Sequence, residues 1–204
     1  MDYLVGSVLT GAGATALIDM WAVARKRLLG IPALDYGLVG RWLVHLARGR
    51  FRHARVAASP PVRGERPIGW MAHYLIGVVF AAALLAIWGL DWMRQPTLAP
   101  ALTVGLASAA APFFLMQPGM GAGIAASRTP RPNAARAQTL ITHAIFGLGL
   151  YISAWAANLF LGACACVSPT VLLRCSLAGC SRPSWSASCP PSCWPSARGF
   201  TRGL

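Results

Sequence analysis

The stretch that decides the fold is GWMAHYLIGVVFAAALLAIWGL, residues 69–90, in which His73 is the only ionisable side chain apart from Tyr74. About 20 helical residues cross the roughly 30 Å hydrocarbon core of a bilayer, so this run predicts a transmembrane helix. Three further stretches have the same character: residues 3–23, 98–117 and 139–162. Helices satisfy their backbone hydrogen bonds internally, as lipid requires. The sequence therefore predicts an all-α, four-transmembrane-helix bundle.

The composition excludes other classes of protein. Of the 204 residues, 56% are hydrophobic and 11% are charged, whereas soluble domains have about 25% charged residues. Such high hydrophobicity also excludes a disordered chain. In a soluble protein the net charge of +13 would indicate nucleic acid. Between apolar runs, basic residues act instead as topology signals and contacts for anionic lipid. We expect the lipid bilayer and anionic phospholipid headgroups as partners, and no nucleic acid.

The distribution of Lys and Arg predicts the orientation. Ten lie between Arg25 and Arg66, one (Arg94) lies between the second and third spans, and three lie between the third and fourth. The positive-inside rule places the first and third connections in the cytoplasm and both termini outside. The first span has no basic residue before it and is followed by Arg25-Lys26-Arg27, which is typical of an uncleaved anchor rather than a signal peptide.

Residues 24–68 form a basic cytoplasmic loop within the membrane domain. Asp35 can cap a helix, and apolar residues after it gather on one side: Leu38, Val39, Trp42, Leu43 and Leu46. This pattern predicts a short amphipathic helix at the headgroup boundary. A solvated loop with one helical turn is the alternative. Residues 57–67, which contain three prolines, predict an extended linker into the second span.

The tail, residues 163–204, differs from the membrane domain of residues 1–162. It holds eight serines, five prolines and all six cysteines: Cys164, Cys166, Cys175, Cys180, Cys189 and Cys193. The cysteine spacing matches neither a paired zinc motif nor a Cys-x-x-Cys redox motif. We expect a disordered tail, and we hypothesise an out-of-frame translation, because GC-rich codons for Ala and Leu read one base off give Cys, Arg, Pro, Ser and Trp. A natural disordered or disulfide-linked tail is the alternative.

Four polar side chains inside the spans are the candidate functional residues: Asp19, His73, Gln117 and His143. In the predicted orientation each lies within about two helical turns of the cytoplasmic boundary. Small residues recur every four positions on the same helix faces, and small residues mark close helix contacts in lipid. We therefore expect the four side chains to meet inside the bundle. Singly, each is also explained by a hydrogen bond that only fixes packing.

The chemistry of such a cluster has two forms. Asp19, His73 and His143 have the residue types of a metal triad, and the same three groups could relay protons, since imidazole titrates near neutral pH. No His-x-x-x-His or Glu-x-x-His occurs. We therefore expect no metal and no cofactor, with that triad as the alternative.

The segment after the third span is a second candidate site. Gln117-Pro118 and the following glycines free backbone groups at the end of the span. With Arg128, Thr129 and Arg131 this segment could bind an anionic headgroup or phosphate. A flexible turn is the alternative meaning of the glycines.

Several motifs resemble one family. They are GAGATALIDMW (residues 11–21), GIPALDYGLVGRW (30–42), GWMAHY (69–74), APFFLMQP (111–118) and GAGIAASRTPRPN (121–133). Together they resemble the bacterial membrane proteins catalogued as domain of unknown function 2938, over about residues 3–162. The resemblance implies a four-span protein of the bacterial inner membrane, with periplasmic termini in the orientation above. It implies no activity, and the cysteine-rich tail departs from it.

The leading functional hypothesis is a small transport-type or lipid-interacting protein that uses the four-residue cluster. Four spans are few for a pathway, so we expect a homo-oligomer. One alternative is a membrane-embedded enzyme that acts on an anionic headgroup or a quinone-like substrate, with His73 or His143 as base and Arg128 and Arg131 as anion clamps. Another is an accessory subunit without chemistry.

Overall fold

The computed structural model describes the backbone of residues 3–167 and the side chains of residues 3–159. Residues 3–155 belong to one compact unit, and the contacts discussed below lie within it. The described residues form helices joined by turns and irregular segments, with no strand among them. The helices are α1 (Tyr3–Leu29), α2 (Tyr36–Ala47), α3 (Glu65–Arg94), α4 (Leu98–Ala107), α5 (Gln117–Met120) and α6 (Pro132–Val167).

Four helical segments are long and apolar enough to cross a membrane: Tyr3–Leu29, Glu65–Arg94, Leu98–Met120 and Pro132–Leu159. The predicted four-span architecture is thereby confirmed. The segments run beyond the predicted spans mainly at the ends that carry the basic connections, because helical backbone continues where the apolar run stops. Most of the tail lies outside the described residues.

The prediction of an extended linker over residues 57–67 is wrong at both ends of that range. Val56–Ala58 forms a 3₁₀ turn, and α3 already begins at Glu65. Pro67 is tolerated there because the first helical turn has no use for its missing N–H. The Glu65 carboxylate also accepts a hydrogen bond from the Val62 amide at 3.1 Å, which fixes the start of the helix.

The third span is a broken helix. Between α4 and α5 the residues Pro112–Met116 form a π-helical turn. Pro112 and Pro118 cannot donate backbone hydrogen bonds, and the wider turn accommodates that loss. The prediction that this break frees backbone groups at Gln117 is wrong: the Gln117 amide donates to the Pro112 carbonyl, and the Gln117 carbonyl accepts from the Ala122 amide at 2.8 Å.

Glycines bring the helices into backbone contact. A Cβ atom on Gly11 would lie 2.5 Å from the Cα of Val78, so α1 and α3 touch directly. A Cβ on Gly105 would lie 2.5 Å from the Cα of Gly147, which brings α4 and α6 together. Close approach at small residues is the usual packing of helices in lipid. The two contacts decide which polar side chains meet.

Helix α2 is packed against the start of α3. Asp35 caps it, accepting from the Gly37 amide at 2.8 Å, as predicted. A Cβ on Gly40 would lie 1.8 Å from the Glu65 carbonyl oxygen, and the Arg41 guanidinium pairs with the Glu65 carboxylate at 2.8 and 2.9 Å. The amphipathic helix therefore exists, and part of its surface covers α3. Its position at the lipid headgroups stays a prediction.

The first loop also contacts the end of the third span. The His53 amide donates to the Gly119 carbonyl at 2.9 Å, and Gly119 lies against the Trp42 indole. The indole N–H in turn donates to the Phe51 carbonyl at 2.9 Å. We call this end of the bundle, formed by residues 24–68 and 117–136, the basic end.

Candidate functional site

Asp19 and His73 meet directly between α1 and α3. The His73 Nε2 atom lies 3.1 Å from the Asp19 Oδ1 atom, and the two side chains are only 15% and 21% exposed. The backbone contact between Gly11 and Val78 lies about two helical turns from Asp19 along α1 and between one and two turns from His73 along α3, and it brings the two helices close together. The sequence prediction that these two side chains face the bundle agrees with this contact.

Two tyrosines complete the group, which we call the Asp19–His73 cluster: Asp19, Tyr36, His73 and Tyr74. The Tyr74 hydroxyl donates to Asp19 Oδ2 at 3.0 Å. The Tyr36 hydroxyl lies 2.9 Å from His73 Nε2, and its ring stacks on the imidazole with centroids 4.3 Å apart. Both carboxylate oxygens of Asp19 thus have a donor within reach.

Sequence reasoning missed Tyr36, because no local pattern in the sequence places it beside His73. Tyr36 is the first residue of α2, directly after the Asp35 cap. Only the docking of α2 on α3 brings it to His73, and that docking depends on Gly40 and Arg41. Burial, followed by the Asp19 carboxylate, raises the pKa of the Tyr36 phenol above its ordinary 10.0, while the Arg25 guanidinium opposes the shift.

The geometry allows one proton to be shared. The Nε2 atom of a neutral imidazole is either a donor or an acceptor. With a proton on Nε2, His73 donates to Asp19. Without it, the Tyr36 hydroxyl donates to Nε2. The cluster therefore keeps a hydrogen-bonded arrangement in either state of Nε2, which is what a group that binds and releases a proton needs.

The four predicted side chains do not all meet, because His143 and Gln117 have other hydrogen-bond partners. His143 Nδ1 lies 2.7 Å from the buried Ser108 hydroxyl, and Gln117 Nε2 lies 3.4 Å from the Thr139 hydroxyl. The reason is the helix pairing: Gly105 packs on Gly147 and couples α4 to α6, whereas Asp19 and His73 belong to α1 and α3. The predicted layer thus consists of one acid–imidazole cluster and separate contacts of α6 with Ser108 and Gln117 of the third span.

The metal triad left open by the sequence is not assembled. Asp19 and His73 are paired with each other, and His143 binds Ser108 instead. Within the part of the chain that the structure describes, no three His, Cys, Asp or Glu side chains converge as metal ligands.

The three predicted anion-binding residues divide between two clefts at the basic end. Thr129 and Arg131 line a cleft of about 710 Å³ between α1 and α6. Arg128 lines a second cleft of about 440 Å³, together with Arg52 and the buried His53. The Thr129 hydroxyl donates to the Ala126 carbonyl at 2.8 Å, so it also holds its own turn.

Comparison with known proteins gives a family and no activity. No curated protein and no solved structure matches the chain. The family model described as "Protein of unknown function (DUF2938)" matches residues 8–157, which covers α1 to most of α6. The chain is thus a member of the DUF2938 family, a four-span helical membrane protein.

Proposed function

We propose that the protein is a small transport-type membrane protein in which the Asp19–His73 cluster binds and releases a proton. The observation that carries this proposal is the position of His73 Nε2, within hydrogen-bond distance of both Asp19 and the Tyr36 hydroxyl. An ionisable group inside a span costs several kcal/mol of free energy unless it has a partner, so such a group is a candidate functional residue. Hydrogen bonds from Tyr36 and Tyr74 lower that cost here.

The Asp91–Arg94 pair does not have these properties. The two side chains are 93% and 76% exposed and lie three residues apart at the end of α3. Such an exposed pair contributes little to stability. The mostly buried position of the Asp19–His73 cluster favours it as the functional centre.

In this proposal the basic end faces the cytoplasm of a bacterial inner membrane. Thirteen Lys and Arg lie in the first and third connections and one lies in the second, and the positive-inside rule gives that orientation. The cluster then exchanges protons with the cytoplasm. Four spans are few for a complete pathway, so we include a second copy of the chain in the proposal.

The test is proton flux into liposomes that contain the purified protein and a trapped pH-sensitive dye. A pH gradient should drive flux that Asp19→Asn and His73→Gln each reduce at least about tenfold, because either change removes one partner of the shared proton. Asp91→Asn is the matched control, since it makes the same chemical change at an exposed carboxylate. Flux that is unaltered by Asp19→Asn, or reduced equally by Asp91→Asn, would refute the proposal.

A further inference from the structure

The larger cleft at the basic end is lined by residues outside the Asp19–His73 cluster. It lies between the C-terminal part of α1 and the N-terminal part of α6, with residues 29–32 and 129–131 at its rim. Its volume of about 710 Å³ is within the usual range of ligand sites, roughly 300–1,000 Å³. Its lining is mostly apolar, and it includes two arginines, Arg25 and Arg131, but no Asp or Glu.

Arg25 is the central polar group of this cleft. Its side chain is buried, with 8% exposure. Its Nη2 donates to the Pro32 carbonyl at 3.2 Å, and its Nε and Nη1 donate to the Gln138 amide oxygen in the orientation that satisfies both groups. These bonds occupy three of the five N–H donors of a guanidinium and leave one on each terminal nitrogen.

Arg25 forms no ion pair with any of the described residues. The ion pairs among them join Arg41 to Glu65, His73 to Asp19 and Arg94 to Asp91. A buried charge without a counter-charge is costly. Two free donors on a buried guanidinium match the geometry of a phosphate group, which arginine binds in a bidentate manner.

A second donor in the cleft also lacks a partner. The indole Nε1 of Trp21 is buried and has no hydrogen-bond partner among the described residues, and Trp21 lines the same cleft as Arg25. An indole N–H only donates, so the missing group is an acceptor. Arg131 at the rim adds a third donor side chain.

We propose that this cleft binds one anionic phospholipid, with its phosphate on Arg25 and its acyl chains along the outer faces of α1 and α6. A lipid fits better than a soluble anion because most of the lining is apolar, including Leu29 and Ile141, which are 62% and 50% exposed. Arg25 also lies in the last two turns of α1, at the depth of a span end where headgroups are found. Lipid binding does not require proton transfer by the Asp19–His73 cluster, although the Arg25 guanidinium also acts on the pKa of Tyr36.

The experiment is native mass spectrometry of the intact protein in detergent, titrated with phosphatidylglycerol, with phosphatidylcholine, or with inorganic phosphate alone. We expect one phosphatidylglycerol per chain at low concentration and at least about tenfold weaker binding by Arg25→Gln, as for loss of a charge-assisted hydrogen-bond pair. Lys26→Gln is the matched control, because it removes the neighbouring exposed charge. Trp21→Phe removes the indole N–H but keeps an aromatic ring, and it should weaken binding a few-fold.

Each other outcome decides against the proposal. Equal losses in Arg25→Gln and Lys26→Gln would mean that only net charge matters. If phosphatidylcholine bound as well as phosphatidylglycerol, the cleft would not select for the negative charge of the lipid. Arg25-dependent binding of inorganic phosphate without binding of phosphatidylglycerol would make the cleft a soluble-anion site. Should Arg25→Gln fail to fold, Trp21→Phe and Arg131→Gln test the same cleft, and unchanged lipid binding in both would overturn the proposal.

Discussion

Replacing Gly11 by alanine tests the backbone contact that positions the Asp19–His73 cluster. The added Cβ would lie 2.5 Å from the Cα of Val78, whereas carbon atoms pack at about 3.5–4.0 Å, so α1 and α3 must separate by about 1 Å. A rigid separation of that size lengthens the 3.1 Å contact of Asp19 with His73 to about 4 Å, which is no longer a hydrogen bond. Overpacking of this kind costs about 1–3 kcal/mol. The better helix propensity of alanine returns about 0.5–1 kcal/mol.

The net expectation for Gly11→Ala is a loss of about 1 kcal/mol in the free energy of unfolding. Equilibrium denaturation in detergent micelles, followed by helical ellipticity, measures it. Val79→Leu is the control, because it also adds one carbon but on a side chain that is 56% exposed, and we expect almost no change. A Gly11→Ala protein that is as stable as the wild type, or more stable, would refute the close approach, since propensity alone favours alanine.

Three further predictions concern neighbouring contacts. Glu65→Gln removes the ion pair with Arg41, so backbone amide hydrogen exchange within residues 36–47 should become faster while exchange in α1 stays the same. Unchanged exchange in residues 36–47 would mean that the ion pair does not hold α2 in place. Burial and the Asp19 carboxylate raise the pKa of Tyr36 above 10.0, so the stability that neutral Tyr36 contributes should be complete below pH 10 and decline above it. Above pH 10 the unfolding free energy of Tyr36→Phe should therefore fall less steeply than that of the wild type. Parallel pH profiles of the two proteins would contradict this. Ser108→Ala removes the partner of His143 Nδ1 and should cost about 1–3 kcal/mol of stability. The NMR resonances of the His73 imidazole should not shift in this variant, and a shift there would contradict the separation of the two sites.

The local features of the fold could be predicted from the sequence. Span number follows from the length of apolar runs, and the start of α2 follows from the Asp35 cap. The inward orientation of Asp19 and His73 follows from small residues at helical spacing. In each case the cause lies within one turn or one face of a helix.

The pairing of the polar residues could not be predicted in the same way. Glycine stripes show that helices touch but do not show which helix each one touches. His143 was therefore grouped with Asp19, although Gly105 and Gly147 join its helix to α4. Tyr36 was missed because its position depends on tertiary docking of a loop helix.

The most direct test of the central contact is nitrogen-15 NMR of protein labelled at histidine. The Nε2 resonance of His73 should shift when Asp19 is replaced by asparagine, because that atom lies 3.1 Å from the Asp19 carboxylate. The His143 resonances should stay in place, since its partner is Ser108. A His73 resonance that does not respond, or a His143 resonance that moves equally, would contradict the Asp19–His73 cluster as the functional centre.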